Sequence, residues 1–426
     1  MQGIYNVKDF GAKGDASTND SPKIQDAINS AQQNGGGIVF FPAGFYLVCS
    51  PITISSGVKL LGSGTGVGVG AGNSGGTVIR VGTPTQDVFV VSSDEAVLFQ
   101  DFTIDSSVTK TDGAGIKLNG ATSGYNARSR LQNIRILGQY IGVHIERASG
   151  WVIRDCHIQD FRNVGIWVRQ LKFTNGGDNH ISGCTIWDLN VHTSQACIRY
   201  DEGGAIFIQD NKLLGAEYGI RLILVDGPTG TMVIQGNSIE QQTISGFLAE
   251  LATEGKKFAN LIINGNQFSI LAPVNPQTAI NIIASSTPQW LSNVIISNNV
   301  FNMGYTNRFP IITVNDGNTV TIANNVITNL GNKGPIGIGI GGNAKNVLVK
   351  DNQIIDVPSG KYGALNSQTI LRDLTGMPFA MLQQDIADGS EVYVIDGQTN
   401  PTERIPLVSG GSGAWARKIE GVWYSG

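Results

Sequence analysis

Charge is scarce in this sequence and shows no strong bias. Charged residues make up 15% of the 426 residues, where an average protein has about 25%. The 29 Lys and Arg and the 33 Asp and Glu give a formal net charge of −4, and no block of Lys or Arg occurs. This balance argues against nucleic acid or an anionic membrane surface as the main partner. A local basic strip remains compatible with a polyanion.

Long apolar runs and cysteine clusters are also missing. No segment approaches the roughly 20 apolar residues of a membrane span, and "MQGIYNVKDF" lacks the charged and apolar regions of a signal peptide. The four cysteines, which are too few for a disulfide scaffold and lack CxxC spacing, are Cys49, Cys156, Cys184 and Cys197. We therefore expect buried reduced thiols, no cofactor and no metal site.

Glycine and one repeated motif are abundant. The 56 glycines indicate many tight turns between short strands. A polar triplet ending in asparagine recurs in "IQDNKLLG", "IQGNSIE", "INGNQFS", "ISNNVFN", "IANNVIT" and "VKDNQII". These asparagines are Asn211, Asn237, Asn266, Asn299, Asn325 and Asn352, spaced by 26, 29, 33, 26 and 27 residues. Earlier in the chain, the same slot is predicted to hold Asn133, Cys156 and Cys184, with Phe102 as a looser match.

Each slot is followed by a small residue and a β-rich segment, as in "GIKL" (115), "GVHI" (142), "GIWV" (165), "CIRY" (197) and "GIRL" (219). Such a unit has two or three short strands and buries its apolar face only by stacking. The period predicts an all-β fold, a right-handed, single-stranded parallel β-helix. Coils about 4.8 Å apart would align the asparagine amides into a hydrogen-bonded ladder.

A short helix is expected to cover the first coil. In "NDSPKIQDAINSAQQNGGG", Ser21 suits the N-cap position, Pro22 the first helical position, and Gly35 the stop. The apolar residues at helical spacing are Ile24, Ala27, Ile28 and Ala31. Without such a cap, the end of a solenoid exposes core and strand edges.

The N-terminal segment resembles the signature of the pectate-lyase-like superfamily. The resemblance lies in "NVKDFGAKGD", the Asn19-Asp20 pair and "GGGIVFFPAGFYLV", with departures at Ala16 and Asn19. It covers roughly the first 60 residues, and the repeat extends it to about residue 365. It implies the fold more strongly than the reaction, because the superfamily includes lyases, hydrolases, epimerases and fructotransferases.

The tail "DGSEVYVIDGQTNPTERIPLVSGGSGAWARKIEGVWYSG" is similar to the closing segment of bacteriophage tailspikes and capsular polysaccharide depolymerases. This resemblance implies a homotrimer at the virion tail that binds bacterial surface polysaccharide, with a virion attachment domain or protein on the N-terminal side. A bacterial enzyme with a small C-terminal cap is the alternative. We expect an N-terminal cap at 1–60, a β-helix at 61–365, and a C-terminal β cap or trimerisation segment at 366–426.

Outward positions are the candidates for binding, because the interior of a β-helix is filled. In the glycine-led strand they are Lys117, His144, Trp167, Arg199 and Arg221, and, two residues on, Asn119, Glu146, Arg169 and Asp201. Trp167 offers a ring face to a sugar, while Arg169, Arg199 and Arg221 suit acidic sugars. The alternative is a solvated ladder of charges that neutralise one another.

A second column is predicted at the turn that enters this strand. It contains Asp160, Asp188, Glu217 and Glu240, near Arg162, Tyr140, Tyr218 and Trp187. Stacking would place Asp188 and Glu217 about 5 Å apart, the retaining separation for glycosidic cleavage, and Asp160 and Glu217 about 10 Å apart. Asp188 and Glu217 are the preferred catalytic pair, with Asp160 or Glu146 in reserve.

Three functions fit these patterns. The first is a polysaccharide depolymerase that hydrolyses glycosidic bonds with the paired carboxylates. The second is a polysaccharide lyase, with His192, Arg199 or Tyr218 as the base and Arg169 or Arg221 neutralising a uronate. The third is a receptor-binding spike without catalysis. Long inserts between residues 150 and 230, together with the tryptophans and histidines there, place the groove in those coils.

Overall fold

The structure of the protein is a computed structural model. It describes residues 3–55, 57–66, 75–120, 126–169, 177–188, 194–201, 203–224, 230–251, 258–270, 278–284, 291–304, 310–329, 336–355, 357, 361–377, 386–394 and 413–425. These residues form two compact units, 1–230 and 231–426. The three-part division at residues 60 and 365 stays a prediction.

In the first unit, parallel strands stack into three sheets, and each coil passes through the sheets in turn. The first sheet contains β1 (Gly3–Asn6), β3 (Gly37–Phe41), β6 (Lys59–Gly62), β9 (Leu98–Ser106), β12 (Arg130–Leu137), β15 (Val152–Arg154), β18 (Asn179–Ser182) and β21 (Ile206–Gln209). The second contains β2 (Asp15–Asn19), β4 (Gly44–Val48), β7 (Thr77–Val81), the ends of β9 and β12, β16 (His157–Gln159), β19 (Thr185–Asp188) and β22 (Lys212–Gly215).

The third sheet of this unit carries the glycine-led segments. It contains β5 (Ile52–Ile54), β8 (Phe89–Ser92), β10 (Ala114–Asn119), β13 (Ile141–Ile145), β17 (Val164–Arg169), β20 (Ala196–Asp201) and β23 (Tyr218–Leu224). A short pair, β11 (Asn126–Ala127) and β14 (Ala148–Ser149), lies beside them. The inward side chains of all three sheets form the apolar core.

The second unit has the same order of strands. Its first sheet contains β24 (Thr231–Gln235), β27 (Phe258–Asn264), β30 (Leu291–Ser297), β33 (Thr319–Ala323), β36 (Val347–Lys350), β38 (Thr369–Met377) and β39 (Glu391–Val394). Its second contains β25 (Ser238–Glu240), β28 (Gln267–Ile270), β31 (Val300–Met303), β34 (Val326–Asn329) and β37 (Gln353–Ile355). Its third contains β26 (Ser245–Leu251), β29 (Thr278–Ala284), β32 (Pro310–Gly317) and β35 (Ile336–Ala344).

Among the strands that the structure describes, antiparallel pairing begins at the C-terminal end of the second unit. There β39 pairs with β40 (Ala414–Ile419), which pairs with β41 (Val422–Ser425). A change from parallel stacking to an antiparallel meander ends the solenoid. The predicted fold class, a parallel β-helix with an N-terminal helix and a small C-terminal β cap, is confirmed.

The predicted helix is α1 (Ser21–Gln33), and it packs against β1, β3 and β5. The predicted apolar side chains of this helix are buried. The N-cap prediction is wrong by one residue, because Asp20 holds that position and Ser21 is helical. The Asp20 carboxylate accepts hydrogen bonds from the backbone N–H groups of Lys13 and Gly14, at 2.7 and 2.9 Å. Asp20 therefore ties the N-terminal signature to the helix start.

The recurring asparagines form the expected ladder in the second unit. The side-chain Nδ2 of Asn237, Asn266, Asn299 and Asn325 donates to the Oδ1 of the next asparagine, ending at Asn352, over 2.9 to 3.0 Å. The same Oδ1 atoms accept the backbone N–H of the preceding asparagine. In the first unit, Asn211 makes the equivalent bonds to the backbone of Cys184 and Ile181.

The residue before each slot has a left-handed backbone, which explains the polar triplet. Its φ is 56° at Asp210, 67° at Gly236 and 56° at Asn298, a region that Gly, Asn and Asp tolerate best. The slot predicted at Asn133 is wrong for this reason. Asn133 is exposed with a φ of 50°, and Ile134, paired with Phe102, takes the buried slot. Cys156 and Cys184 fill the next two slots as buried free thiols, as predicted.

Candidate functional site

The outward side chains of the third sheet stand in one column. Pairing runs from Lys117 to His144, Trp167, Arg199 and Arg221. The residues that precede them, from Ile116 to Ile220, are fully buried or nearly so. A parallel column two residues on includes Arg169 paired with Asp201. We call these two columns, with Asn119 and Glu146, the outer strip. Their alignment matches the prediction from the glycine-led segments.

Trp167 lies at the centre of the outer strip, and its ring faces are occupied. The His144 ring stacks on it at 5.0 Å between centroids and 17° between planes. The Arg199 guanidinium, on the neighbouring coil, lies 4.8 Å from the Trp167 centroid, and that of Arg169 lies 5.5 Å away. The expectation that Trp167 offers a free face to a sugar is therefore wrong. Its ring holds the surrounding cations in place.

Asp201 is the acceptor that organises this cluster. Its carboxylate, with the residue only 6% exposed, accepts from Trp167 Nε1 at 2.9 Å. Arg199 Nε donates to both of its oxygens at 3.0 and 2.9 Å, and a further Arg199 nitrogen lies 2.9 Å away. Arg199 also donates to Gln195 at 2.6 Å. This set of charge-assisted bonds fixes the Arg199 side chain.

A second charged group lies on the two coils that precede that of Trp167 in the stack. Glu146 accepts from Lys117 at 3.1 Å, and its carboxylate lies 3.8 Å from His144 Nε2. Burial lowers the pKa of His144 to about 4, with Lys117 and Arg169 acting in the same direction and Glu146 and Asp87 opposing them. The imidazole is thus neutral at pH 7. Its buried Nε2 has no hydrogen-bond partner among the described residues.

The predicted pair of catalytic carboxylates does not stack. Asp188 is the last residue of β19 and pairs with Gly215, whereas the N–H of Glu217 donates to the carbonyl of Ser194. Asp160 follows β16 with a left-handed backbone, and its N–H donates to Trp187. The observed register therefore differs from the one that gave the separations of about 5 and 10 Å. The turns between the second and third sheets differ in length, so counting from Asn211 loses the register.

Asp188 also points the wrong way for chemistry on the surface. It has the inward parity of Ile186 and is 1% exposed. Neither of its carboxylate oxygens has a hydrogen-bond partner among the described residues. Glu217 is half-buried, and Glu240, in the second unit, accepts from Ser238 at 2.7 Å. Asp160 follows Gln159, which pairs with Trp187, so of these residues Asp160 and Asp188 are neighbours in the stack, and Asp188 is the buried one.

The remaining predicted binding residues are divided between two sheets. Arg162 is exposed on the turn after β16, and Tyr218 lies under the Arg221 guanidinium, which is 5.0 Å from its ring centroid. Trp187 belongs to the outer face of the second sheet, where its Nε1 donates to His157 Nε2 at 3.0 Å. His192 lies outside the described residues.

Sequence reasoning missed a polar network on the outer face of the second sheet. His157 Nε2 lies 2.9 Å from the side-chain oxygen of Gln159, and that oxygen accepts a hydrogen bond from Arg135 at 3.1 Å. The amide of Gln159 donates to Asp160 at 2.9 Å. Burial lowers the pKa of His157. The sequence could have indicated their outward position, because these residues alternate with the buried Ile136 and Ile158.

Within the described ranges, no three His, Cys, Asp or Glu side chains come together as a metal site requires. Among the helical residues that the structure describes, no segment has the length and hydrophobicity to cross a membrane.

The chain belongs to the rhamnogalacturonase A/epimerase, pectate lyase-like family, whose model matches residues 4–221. Two relatives from Azotobacter vinelandii are similar to parts of it. Mannuronan C5-epimerase AlgE5 is 41% identical over 259 residues, which is 52% of this chain and 24% of the epimerase. Alginate lyase 7 is 30% identical over 204 residues, which is 40% of this chain and 22% of the lyase. The chain thus spans less than a quarter of each of these relatives.

Among solved structures, gene product 12 of bacteriophage phi29 in its pre-mature form has a similar fold. The TM-score is 0.56 at 16% identity, covering 86% of this chain and 54% of the phage protein. An identity this low shows likeness of fold alone.

Proposed function

We propose that the chain is a polysaccharide depolymerase that holds an acidic polysaccharide along the outer strip of its third sheet. The observation that carries this proposal is the charge of the strip. Four cations, Lys117, Arg169, Arg199 and Arg221, face two carboxylates, Glu146 and Asp201. The strip is thus cationic on a chain whose net charge is −4. Fixed guanidinium groups suit carboxylates in a repeating polymer.

The named activities of the relatives support an acidic substrate. One relative is an alginate lyase and the other a mannuronan epimerase. Mannuronan is, by its name, a polymer of a uronic acid. Lyase and C5-epimerase reactions on such a polymer both begin by removing the proton next to the sugar carboxylate. We therefore propose a uronate-containing polysaccharide as the substrate class.

Among the ways to cut such a polymer, the geometry favours β-elimination. A base removes the proton next to the uronate carboxylate, a carbon–carbon double bond forms, and the glycosidic oxygen leaves and takes up a proton. We assign the base to His144, because its imidazole is neutral at pH 7 and lies between Lys117 and Trp167. Lys117 and Arg169 would neutralise the sugar carboxylate and so acidify that proton.

Hydrolysis is the second candidate, and one observation favours it. Glu146 and Asp201 belong to the same column with Arg169 between them, which places them about 10 Å apart, near the limit for an inverting pair. Against it, both carboxylates are held by cations, Lys117 and Arg199.

Product analysis distinguishes these reactions. The protein is incubated with a panel of acidic and neutral bacterial polysaccharides, and polymer size, reducing ends and ultraviolet absorption of unsaturated sugars are measured. We expect shortening of an acidic polymer with one unsaturated end per cut. His144→Gln should lower the cleavage rate by about a hundredfold or more, and Glu146→Gln by less than about tenfold.

If Glu146→Gln lowered the cleavage rate more than His144→Gln did, and the products were saturated, the reaction would be hydrolysis instead. Arg154→Gln, an exposed charge change on the first sheet, serves as the control and should cut at the normal rate. Binding without shortening of any polymer in the panel would refute the enzymatic proposal and leave a receptor-binding spike.

We further propose that the protein acts as a homotrimer at a bacteriophage tail, on the surface polysaccharide of the host bacterium. The fold likeness to the phi29 protein and the antiparallel C-terminal strands support this setting. An apolar column on the outer face of the first sheet in the second unit supports association. It consists of Val233, Ile262, Ile295, Thr321, Leu348 and Ile370, each paired with the next.

A further inference from the structure

A pocket of about 530 Å³ lies at the turn that enters the first sheet of the first unit. Its floor is apolar, with Val58 and Val97 buried, and one wall is bare backbone at Gly37. A Cβ added to Gly37 would lie 2.7 Å from the carbonyl oxygen of Gly3 and 2.8 Å from the Tyr5 ring, so packing against β1 requires glycine there. The volume is within the range of small-molecule pockets, roughly 300–1,000 Å³.

Three cations surround this pocket. Lys59 and Arg130 stand two coils apart on the first sheet, each paired with Leu98 of the coil between them. Arg128 lies two residues before Arg130 on the same rim. No ion pair engages any of the three within the described residues. The one carboxylate of the pocket, Glu95, accepts the backbone N–H of Gly57.

The backbone at Arg128 is strained in a way that a binding role would explain. Its φ is 61°, in the left-handed region, and its N–H donates to the Ser149 carbonyl at 2.9 Å. Elsewhere in the chain, most residues with this conformation are Gly, Asn or Asp. A long side chain without the local hydrogen bonds of Asn or Asp has no conformational reason to be there.

We propose that this pocket binds an anionic sugar, with Lys59, Arg128 and Arg130 around its carboxylate or phosphate group and the ring on the apolar floor. The cations of the rim supply charge-assisted bonds to such a group. The site is separate from the outer strip, and the proposal does not depend on the reaction proposed there. It would give the protein a second contact with acidic glycans.

Calorimetric titration of the purified protein with glucuronate, glucose 6-phosphate, inorganic phosphate and glucose tests this. We expect saturable binding of at least one sugar acid and none of glucose. Arg130→Gln and Lys59→Gln should each weaken that binding at least about tenfold, as expected for loss of a charge-assisted contact. Arg154→Gln on the same sheet is the matched control and should bind normally.

Arg128→Gly separates binding from folding. Glycine adopts the left-handed backbone without strain, so the melting temperature should stay the same or rise while affinity for the sugar acid falls at least about tenfold. Failure of both sugar acids to bind, binding of inorganic phosphate alone, or unchanged affinity in Arg128→Gly and Arg130→Gln would each overturn the proposal. A failed cleavage assay would not affect it, because these ligands are single sugars.

Discussion

The asparagine ladder gives the sharpest test of what holds the coils in register. Asn299 is fully buried, and its side chain makes four hydrogen bonds. Its Oδ1 accepts from the N–H and the Nδ2 of Asn266, while its Nδ2 donates to Ile263 and to Asn325. Asn299→Ala removes all four and leaves the N–H of Asn266 without an acceptor among the described residues.

At a net value of about 1 kcal/mol for each buried hydrogen bond, Asn299→Ala should destabilise the second unit by roughly 4 kcal/mol. The free energy of unfolding is measured by urea denaturation, and hydrogen exchange of the neighbouring coils reports whether the loss is local. Solenoids often unfold in parts, so both observables are needed.

Asn298→Gly is the matched control for this measurement. Asn298 is exposed, has a φ of 56°, and occupies the position that Gly236 and Gly265 hold in the preceding repeats. Its replacement should change the free energy of unfolding by no more than about 0.5 kcal/mol. If Asn299→Ala were as mild as this control, the ladder would not set the stability of the coils, and the argument from buried hydrogen bonds would fail.

Three further predictions follow from burial and charge. The pKa of His144 is lowered to about 4 from 6.5, so between these values the unfolded chain binds more protons than the folded one. The stability that this residue contributes is therefore present above pH 6.5 and is lost as the pH falls. Relative to His144→Gln, the wild type should lose roughly 3 kcal/mol between pH 7 and 4, and equal losses of the two proteins in thermal melts would contradict this. If the protein is the proposed homotrimer, Ile295→Lys should reduce it to a folded monomer in light-scattering mass measurements. An intact trimer in this variant would remove the apolar column from the interface. Iodoacetamide should label Cys49 first in the native protein, since burial raises the pKa of the thiols of Cys156 and Cys197. If mass spectrometry found early labelling of Cys156 or Cys197, the core would have to open.

The third sheet could be predicted residue by residue, and the carboxylate column could not. The strands from β10 to β23 share a small residue followed by alternating apolar and polar positions, so Lys117 and Arg221 align without any knowledge of the loops. The turn before each of these strands varies in length. Residues 189–195 separate β19 from β20, but only Ala216 and Glu217 separate β22 from β23. Asp188 and Glu217 belong to different parts of the coil for that reason.

Two other errors have equally local causes. Asn133 and Asn211 look alike in the sequence, but one holds the left-handed position and the other the buried slot beside it. An offset of one residue reverses inside and outside, because side chains alternate along a strand. The stacking of Trp167 between His144 and Arg199 depends on rotamers, which periodicity does not specify.

The buried asparagine ladder and the charged outer strip both depend on the rise between coils, which favours the first and brings like charges together in the second. Asn211 and Asn299 satisfy their hydrogen bonds inside the bends, which fixes the rise between coils. On the outer face, the same rise brings cations of neighbouring coils together, which costs free energy unless acceptors separate them. Asp201 between Arg199 and Trp167, and Glu146 beside Lys117, are those acceptors. They leave Arg169 exposed at the centre of the strip, where a sugar carboxylate would complete the pairing.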